Sequence, residues 1–543
     1  MFSFRHASRR DMILILVGAS VVHILSVYTG NKIRIDTVAD GLDFVPPHVG
    51  GIAATTILHH APGYTLFQNL YMSNGTLHIV SPNPSSFPPI RHIISTSLPA
   101  TSSPENIALR EPTPQIMDFL DLDKADTRWG RGRGVFSVKG NTVLFNDPDQ
   151  FLGHYYHFVA ELWFGVQVFW DGAFGRREEE RIPKWGGMDL GDWNWNAYPI
   201  SSQVDHPAFY EQCPSTSSPP INRAIFMHTS SSGWRDTPGF NAYFLRAAFP
   251  SMSIEHEEDW EDRATTDQKA FHFPLVLLVD RSAAFRDDMT GSHTQRTAAQ
   301  AWEYMRNTGR LRGEKVGGWW HCLRKEVWRF AGVEEDGVEG KAALAGGTLP
   351  KPNKILITYI SRQSGSRRKL TTDSHDGLVQ VLKEFVGVWN AERREREERN
   401  QRRERNQHEN TTVEREKRHR EVKDIEMELI VMEAEKLTKD EQIQVISRTT
   451  ILLGPHGNGL THLVFMPPTQ YSTIIEIFYP GGFAHDYHWT SRALGMRWVG
   501  VWNDSSFTYP NEPNVDYPEG FQEDYIPVHG KTVVNVIEDV FRR

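Results

Sequence analysis

The chain has 543 residues, 39% of them hydrophobic and 16 of them Trp; it is too long for a single hydrophobic core and too apolar to be disordered, so two core-bearing domains are expected. A formal net charge of -9 argues against the basic face of a nucleic-acid binder and leaves open a locally basic pocket for a small anion. Two cysteines, Cys213 and Cys322, exclude a disulfide framework and a tetrahedral thiolate zinc site, leaving either one disulfide or two buried thiols.

Asp11 and Lys32 bracket twenty residues, 12–31, that contain no Asp, Glu, Lys or Arg. A helix of about 20 apolar residues spans a bilayer core. Arg5, Arg9 and Arg10 precede it, which places the tail 1–11 in the cytoplasm. The expectation is a type II signal anchor with a lumenal remainder. A cleaved signal peptide is the alternative, but no clean small-x-small cleavage site follows. Sequons at Asn74, Asn410 and Asn503 agree with a secretory route. Residues 32–115 read as a stem and irregular lead-in, with 81–115 rich in Pro and Ser.

An N-terminal domain is expected over 116–345. Val143–Phe145 reads as a buried strand, Asn146-Asp147-Pro148 as a turn, and Phe151–Trp170 as a buried helix. On that helix His157 and Glu161 stand at i and i+4, on one face. Either is a candidate general base: apolar neighbours push a glutamate's pKa up, and a histidine titrates near neutrality. The bland alternative is a satisfied polar pair that pins the helix. Of two Asp-x-Asp triplets, Asp121–Asp123 and Asp147–Asp149, the second follows an apolar strand, where a metal clamp could stand; Pro148 and the helix start after it suggest a capping turn instead, and two carboxylates make a thin metal site. Residues 176–222 read as a long excursion. Ala224–Met227 and Leu275–Val279 are strands of the parallel, doubly buried type. Residues 297–307 and 321–331 read as helices, and Gly337–Pro352 as a linker.

A second α/β unit is expected over 353–503, followed by a return segment, 504–543. Ile355–Tyr359 is a strand ending in Ser361-Arg362, with Arg367-Arg368-Lys369 following; a guanidinium at a strand end suits a phosphate. Gly377–Trp389 is an amphipathic helix. The insertion 390–424 holds 10 acidic and 12 basic side chains and no apolar stripe, which makes it a solvated helix or disordered segment, or less readily a partner-binding arm. After a strand at 427–432, Thr438 and Glu441 form a capping box. The strand 449–453 then runs into Gly454-Pro455-His456-Gly457-Asn458-Gly459-Leu460-Thr461. A strand, a Gly-rich turn and a helix start put bare N–H groups at the carboxyl edge of a sheet, where diphosphates bind. The turn lacks the Gly-Lys-Ser/Thr of a P-loop and the third Gly of a dinucleotide fingerprint. Ile474–Phe478 is a further strand carrying Glu476. His485 and His488 have no third ligand nearby in sequence.

Together these segments resemble glycosyltransferase family 61. Its pattern has a G-x-x-x-H-F-x-x-E/D helix, a Y-x-S-R strand end with a following Arg, an S-x-x-E-Q helix, a G-P-H-G-A-G-L-T-N turn and a Glu after a later strand. Here these are Gly153 to Glu161, Tyr359 to Arg362 with Arg368, Thr438 to Gln442, Gly454 to His462, and Glu476, across roughly residues 130–500. Asn458 replaces Ala and His462 replaces Asn, two departures that bear on the sugar taken, and 390–424 is extra. The resemblance implies a GT-B fold of two Rossmann-like domains behind one transmembrane helix in the Golgi or endoplasmic reticulum. It implies inverting transfer of GlcNAc, xylose or arabinose from a UDP-sugar to a glycan or glycoprotein hydroxyl. Arg362, Arg368 and the turn His456, Gly457, Asn458, Gly459, Leu460 and Thr461 would hold the diphosphate, and Glu476 the ribose. Glu161 or His157 would be the base, with no metal or other cofactor required. A lumenal carbohydrate-binding protein without turnover is the alternative, and a metal-dependent hydrolase a more distant one.

Overall fold

A computed structural model describes residues 52–99, 104–130, 133–174, 218–266, 269–287, 296–311, 317–333, 349, 351–365, 367–406, 422–522 and 525–542. The expected membrane anchor, the excursion after residue 175, most of the linker and Cys213 lie outside them. No helix among the described residues is long and apolar enough to cross a membrane.

The architecture is mixed α/β with two sheets. The first contains β1 (Thr56–Ala61), β2 (Tyr64–Ser73), β3 (Thr76–Val80), β4 (Met117–Leu120), β5 (Val135–Ser137), β6 (Asn141–Pro148), β7 (Arg223–His228), β8 (Ser253–Glu255) and β9 (Ala270–Val279). Its strand order is β4-β3-β2-β9-β6-β7-β8, with β1 beside β2 and β5 beside β9. The runs of Val, Leu, Ile and Phe in β6, β7 and β9 are buried on both faces and pair in parallel, as such runs do. β2 pairs antiparallel with β9 and sits inside the sheet. This corrects the stem expectation: residues 56–80 are sheet. The alternation of that region is broken by buried runs such as Tyr64–Phe67, which serve a strand covered on both faces. Asn74 and Gly75, both at positive φ, make the two-residue turn that joins β2 to β3.

The helices of this half include α1 (Phe164–Phe174), which continues a π-helix at Tyr156–Trp163, α2 (Phe240–Ala248), α3 (Thr297–Asn307) and α4 (Gly318–Phe330). The second sheet has β10 (Lys354–Ser361), β11 (Glu426–Glu433), β12 (Ile451–Pro455), β13 (Thr473–Ile477), β14 (Arg497–Trp502) and β15 (Ser505–Phe507), in the order β11-β10-β12-β13-β14-β15. From β11 to β14 all pairings are parallel. Here the expected parallel sheet is found; the first sheet departs from it through its antiparallel β1–β2–β3 part and the β2–β9 pairing. The second sheet is served by α5 (Thr372–Asn406), α6 (Lys439–Ile446), a 3-10 helix (Asn458–Phe465), α7 (Asp486–Ala493) and α8 (Gly530–Arg542).

One hydrophobic cluster runs from Tyr64, Phe145 and Phe226 of the first sheet through Trp163, Phe244 and Trp320 to Leu452, Ile474 and Phe478 of the second. The contact is hydrogen-bonded as well as apolar. The last carbonyls of a helix have no partner within it. In the 3-10 helix Trp320 Nε1 donates to Val464 O at 2.8 Å, Arg324 Nε to the same oxygen at 3.2 Å, and Trp328 Nε1 to Phe465 O at 2.8 Å. All three donors are on α4.

Candidate active site

The second sheet has the strand sequence 2-1-3-4-5, whose order reverses between β10 and β12. Ligands of open α/β sheets bind beyond the carboxyl ends of the strands at such a reversal. Two of the sequence motifs stand there. β10 ends at Ser361 and leads to Arg362; β12 ends at Pro455 and leads to His456 and Gly457. Gly457 has φ 144, and a Cβ on it would lie 2.8 Å from Arg362 Nη1 and 3.3 Å from Arg368 Nη1. Two guanidiniums therefore close on bare backbone that only glycine leaves open. Arg362 is steered by Nε and Nη2 donating to Arg367 O at 3.4 and 3.3 Å, and Arg368 donates to the Gln522 side chain. Among the described residues neither has a carboxylate at ion-pair distance. Burial and the neighbouring Arg362 and Arg367 depress the pKa of Arg368, against the pull of Tyr487 and Asp486.

Deeper in the turn, His456 Nδ1 meets Glu476 Oε1 at 2.5 Å, and Trp498 Nε1 donates to Glu476 Oε2 at 2.8 Å. Glu476 is wholly buried with both oxygens engaged, and its bond to Nδ1 positions His456. Burial raises the Glu476 carboxyl well above its usual range. Burial, then Arg368, Arg296 and Arg362, hold His456 well below its own. Leu460 and Thr461 are also buried, so only their backbone belongs to the turn; the Asn458 side chain is half-exposed at its mouth. His462 lies away from the mouth, bonded to Tyr155 OH at 3.1 Å through Nδ1 and to Gln442 Oε1 at 3.0 Å through Nε2.

The third motif comes from the first half. The π-helix that carries it is a rare form, found mostly at functional sites. His157 Nδ1 and Glu161 Oε2 are 2.7 Å apart. Glu161 also takes Arg281 Nη1 at 2.6 Å, Thr297 N at 3.0 Å and Thr297 Oγ1 at 3.2 Å. Burial alone would raise its pKa, as expected from the sequence. The charge of Arg281 and the hydrogen bond and charge of His157 outweigh burial, and the carboxyl is held well below its usual range. Glu161 is thus a buried anchor with both oxygens engaged. The His157 side chain is 19% exposed, and its bond to Glu161 is made through Nδ1, which leaves Nε2 outside that bond. The first Asp-x-Asp triplet caps a helix, Asp121 accepting from Asp123 N at 2.9 Å. The second does not: the 3-10 turn Asp149–Phe151 has no side-chain cap, and Asp147 instead accepts from the distant Arg281 N at 3.0 Å. Burial pushes Asp147 up to about 7, against the charge of Arg281.

The structure brings the three motifs together. Tyr156 N donates to Asn458 Oδ1 at 3.4 Å, and Tyr156 OH to Asp486 O at 2.9 Å. Arg296 crosses between the halves, 2.5 Å from Asp486 Oδ1 and over the Tyr156 ring. Arg281, Arg296, Thr297 and Asp486 were missed from the sequence. Arg281 had a signal, since Asp280-Arg281 follows an apolar strand as Arg362 does; Arg296 had none. His485 and His488 bond to each other through Nδ1 at 3.1 Å. Among the described residues no group of three or more His, Cys, Asp or Glu is arranged to hold a metal.

A sequence profile of the family described as Glycosyltransferase 61 matches residues 391–475. The match takes in β11, the capped α6, β12, the Gly-rich turn and most of β13, and begins inside the charged segment. It supports the resemblance to glycosyltransferase family 61, and with it sugar transfer as the class of chemistry. No curated protein matches the chain.

Proposed function

We propose that this chain is an inverting glycosyltransferase that moves a sugar from a UDP-sugar to a hydroxyl of a glycan or glycoprotein. The observation that carries the reading is the pair Arg362 and Arg368, without a carboxylate partner, closing on Gly457 at the strand reversal. Two guanidiniums beside free first-turn N–H groups suit a diphosphate. The nucleotide would lie along the carboxyl edge of the second sheet, with the sugar directed toward the π-helix. This is the arrangement of a GT-B enzyme, to which two sheets meeting at one site lend support. Gly457, Asn458 and Gly459 offer backbone, Arg362 and Arg368 offer charge, and His456 is held by Glu476 from beneath.

His157 Nε2 would take the acceptor proton as the hydroxyl attacks the anomeric carbon, while Glu161 keeps the ring in the accepting tautomer. The guanidiniums stabilise the charge developing on the departing diphosphate. GlcNAc, xylose and arabinose are the sugars considered, and Asn458 is the residue at the mouth that departs from the family pattern. The apolar stretch 12–31 and the sequons support a type II protein of the Golgi or endoplasmic reticulum.

The test is a thermal-shift comparison of UDP, UDP-sugars and GDP-sugars, with Arg362→Ala beside the wild type. Stabilisation by uridine ligands alone is expected, weakened about ten- to a hundredfold in affinity by the substitution. No shift with any nucleotide would overturn the reading. Binding without transfer to any acceptor would favour a carbohydrate-binding protein.

A further inference from the structure

The chain after β15 returns across the carboxyl edge of the second sheet. Asp516 exchanges two backbone hydrogen bonds with Phe483, at 3.0 and 3.1 Å, and Ile526 N donates to Lys369 O at 2.8 Å. Phe483 follows β13 and Lys369 follows β10, so these ties fix the crossing at both ends. Between them Phe521 is buried, its ring 5.2 Å from that of His456, and a Cβ on Gly482 would lie 2.2 Å from that phenyl ring. The next residue, Gln522, takes Arg368 on its side chain. The crossing therefore touches both the Gly-rich turn and one of the two guanidiniums. The rings that meet His456, those of Phe478, Tyr487 and Phe521, are buried. Tyr517 meets Phe521 at 5.1 Å between ring centroids and is 51% exposed. A tyrosine ring offers a ligand a large, rigid contact area at little cost in conformational entropy.

We propose that Tyr517 is the platform on which the uracil ring of the donor stacks. The inference rests on the donor reading above and deepens it. The diphosphate would lie at Gly457 beside Arg362 and Arg368, which is the Gln522 end of the crossing. Tyr517 stands at the other end, next to the tie between Asp516 and Phe483. A nucleotide laid along the sheet edge, phosphates at the guanidiniums, carries its base to that end. The two ends also differ in chemistry as the two parts of the ligand do. Guanidiniums suit the charged phosphates, and an uncharged aromatic ring suits the uncharged base, whose π-face any aromatic side chain can meet. Phe521, wedged between His456 and Tyr517, holds the platform in fixed relation to the turn.

The experiment titrates UDP and inorganic pyrophosphate by calorimetry into the full chain and into Tyr517→Ala and Tyr517→Phe. The alanine variant loses the stacking surface, so its UDP affinity should fall about ten- to a hundredfold. Its pyrophosphate affinity should match the wild type, because pyrophosphate has no base; that match also shows that the crossing still holds Arg368. Tyr517→Phe keeps the ring and should bind UDP as the wild type does. Tyr517→Leu, which keeps bulk without a π-face, carries the same comparison should the alanine form fold poorly. Unchanged UDP affinity in the alanine variant, or equal loss of UDP and pyrophosphate, overturns the role of Tyr517 and leaves the donor site standing. A loss of UDP affinity in the phenylalanine variant as large as in the alanine one overturns stacking. Failure of the wild type to bind either anion overturns both readings.

Discussion

Glu161 and His157 share a hydrogen bond, yet their removal has different consequences. Glu161 is buried against Arg281, and a buried charge that loses its partner is costly. Glu161→Gln should lower unfolding free energy by about 3–5 kcal/mol in chemical denaturation. It should lower turnover as well, because the tautomer of His157 is no longer set. His157→Gln leaves Glu161 with Arg281 and Thr297, so the stability loss should be about 1 kcal/mol. Turnover should still fall by about 10²–10⁴ while UDP affinity holds. A stable, inactive Glu161→Gln beside an active His157→Gln would make Glu161 the base. The i, i+4 spacing made this pair legible in the sequence. The direction of the Glu161 pKa was not, because Arg281 and Thr297 arrive from distant strand and helix ends, Thr297 from 136 residues away. The surroundings of Glu476 were hidden for the same reason: nothing in the chain order announces that Trp498 and His456 take both its oxygens.

At the scale of elements, helix α5 shows where a charged run stops being structural. Trp389 Nε1 donates to Ile425 O at 2.9 Å, and Asn390 exchanges two hydrogen bonds with Met427. Arg396 still reaches Lys423 O and Asp424. Beyond it, Glu397 and Arg399 to Arg402 are exposed. Excising residues 400–420 should therefore leave melting temperature and UDP affinity unchanged, since surface lengths are cheap to alter. Loss of UDP binding would place the segment in the donor site. The charge pattern announced a solvated helix, but not that its base is tied to β11. The hairpin Asn74-Gly75 was legible as a turn signal and was passed over among residues taken for a stem. A second element-scale prediction concerns His462, buried between Tyr155 and Gln442. Burial lowers its pKa to about 3 from 6.5. A depressed value means its contribution is complete above about pH 6.5 and is lost as pH falls toward 3. The loss is about 1.4 kcal/mol per pH unit in that window, near 2 kcal/mol by about pH 5. His462→Asn should be less stable at neutral pH, where two hydrogen bonds are lost. Its stability should fall less steeply between about pH 6.5 and 5 in denaturant titrations.

Across the whole molecule the two sheets share one hydrophobic cluster, and Val49–Arg543 forms one compact unit. Alternating strands and helices revealed the α/β class and the second sheet. They did not reveal that the sheets are joined by buried aromatics, because which apolar face meets which is settled by packing. Residues 349–543 expressed alone would strip buried Val464 and Phe465 of Trp320, Trp328 and Phe244. That fragment should bind a hydrophobic dye and lack a cooperative melt, whereas the full chain should melt in a single transition. Independent two-state unfolding of the fragment would show that the second half folds by itself.

Trp320, Arg324 and Trp328 hold the far end of the helix that begins at Gly457. A ligand seated at one end of that helix is thereby wired to a helix of the other half at its opposite end. Amide hydrogens in α4 and in the strands packed on it should exchange more slowly once UDP is bound, although they touch no nucleotide. Trp328→Phe keeps the ring but gives up the N–H, so it should uncouple this distant protection while leaving the first-turn amides protected.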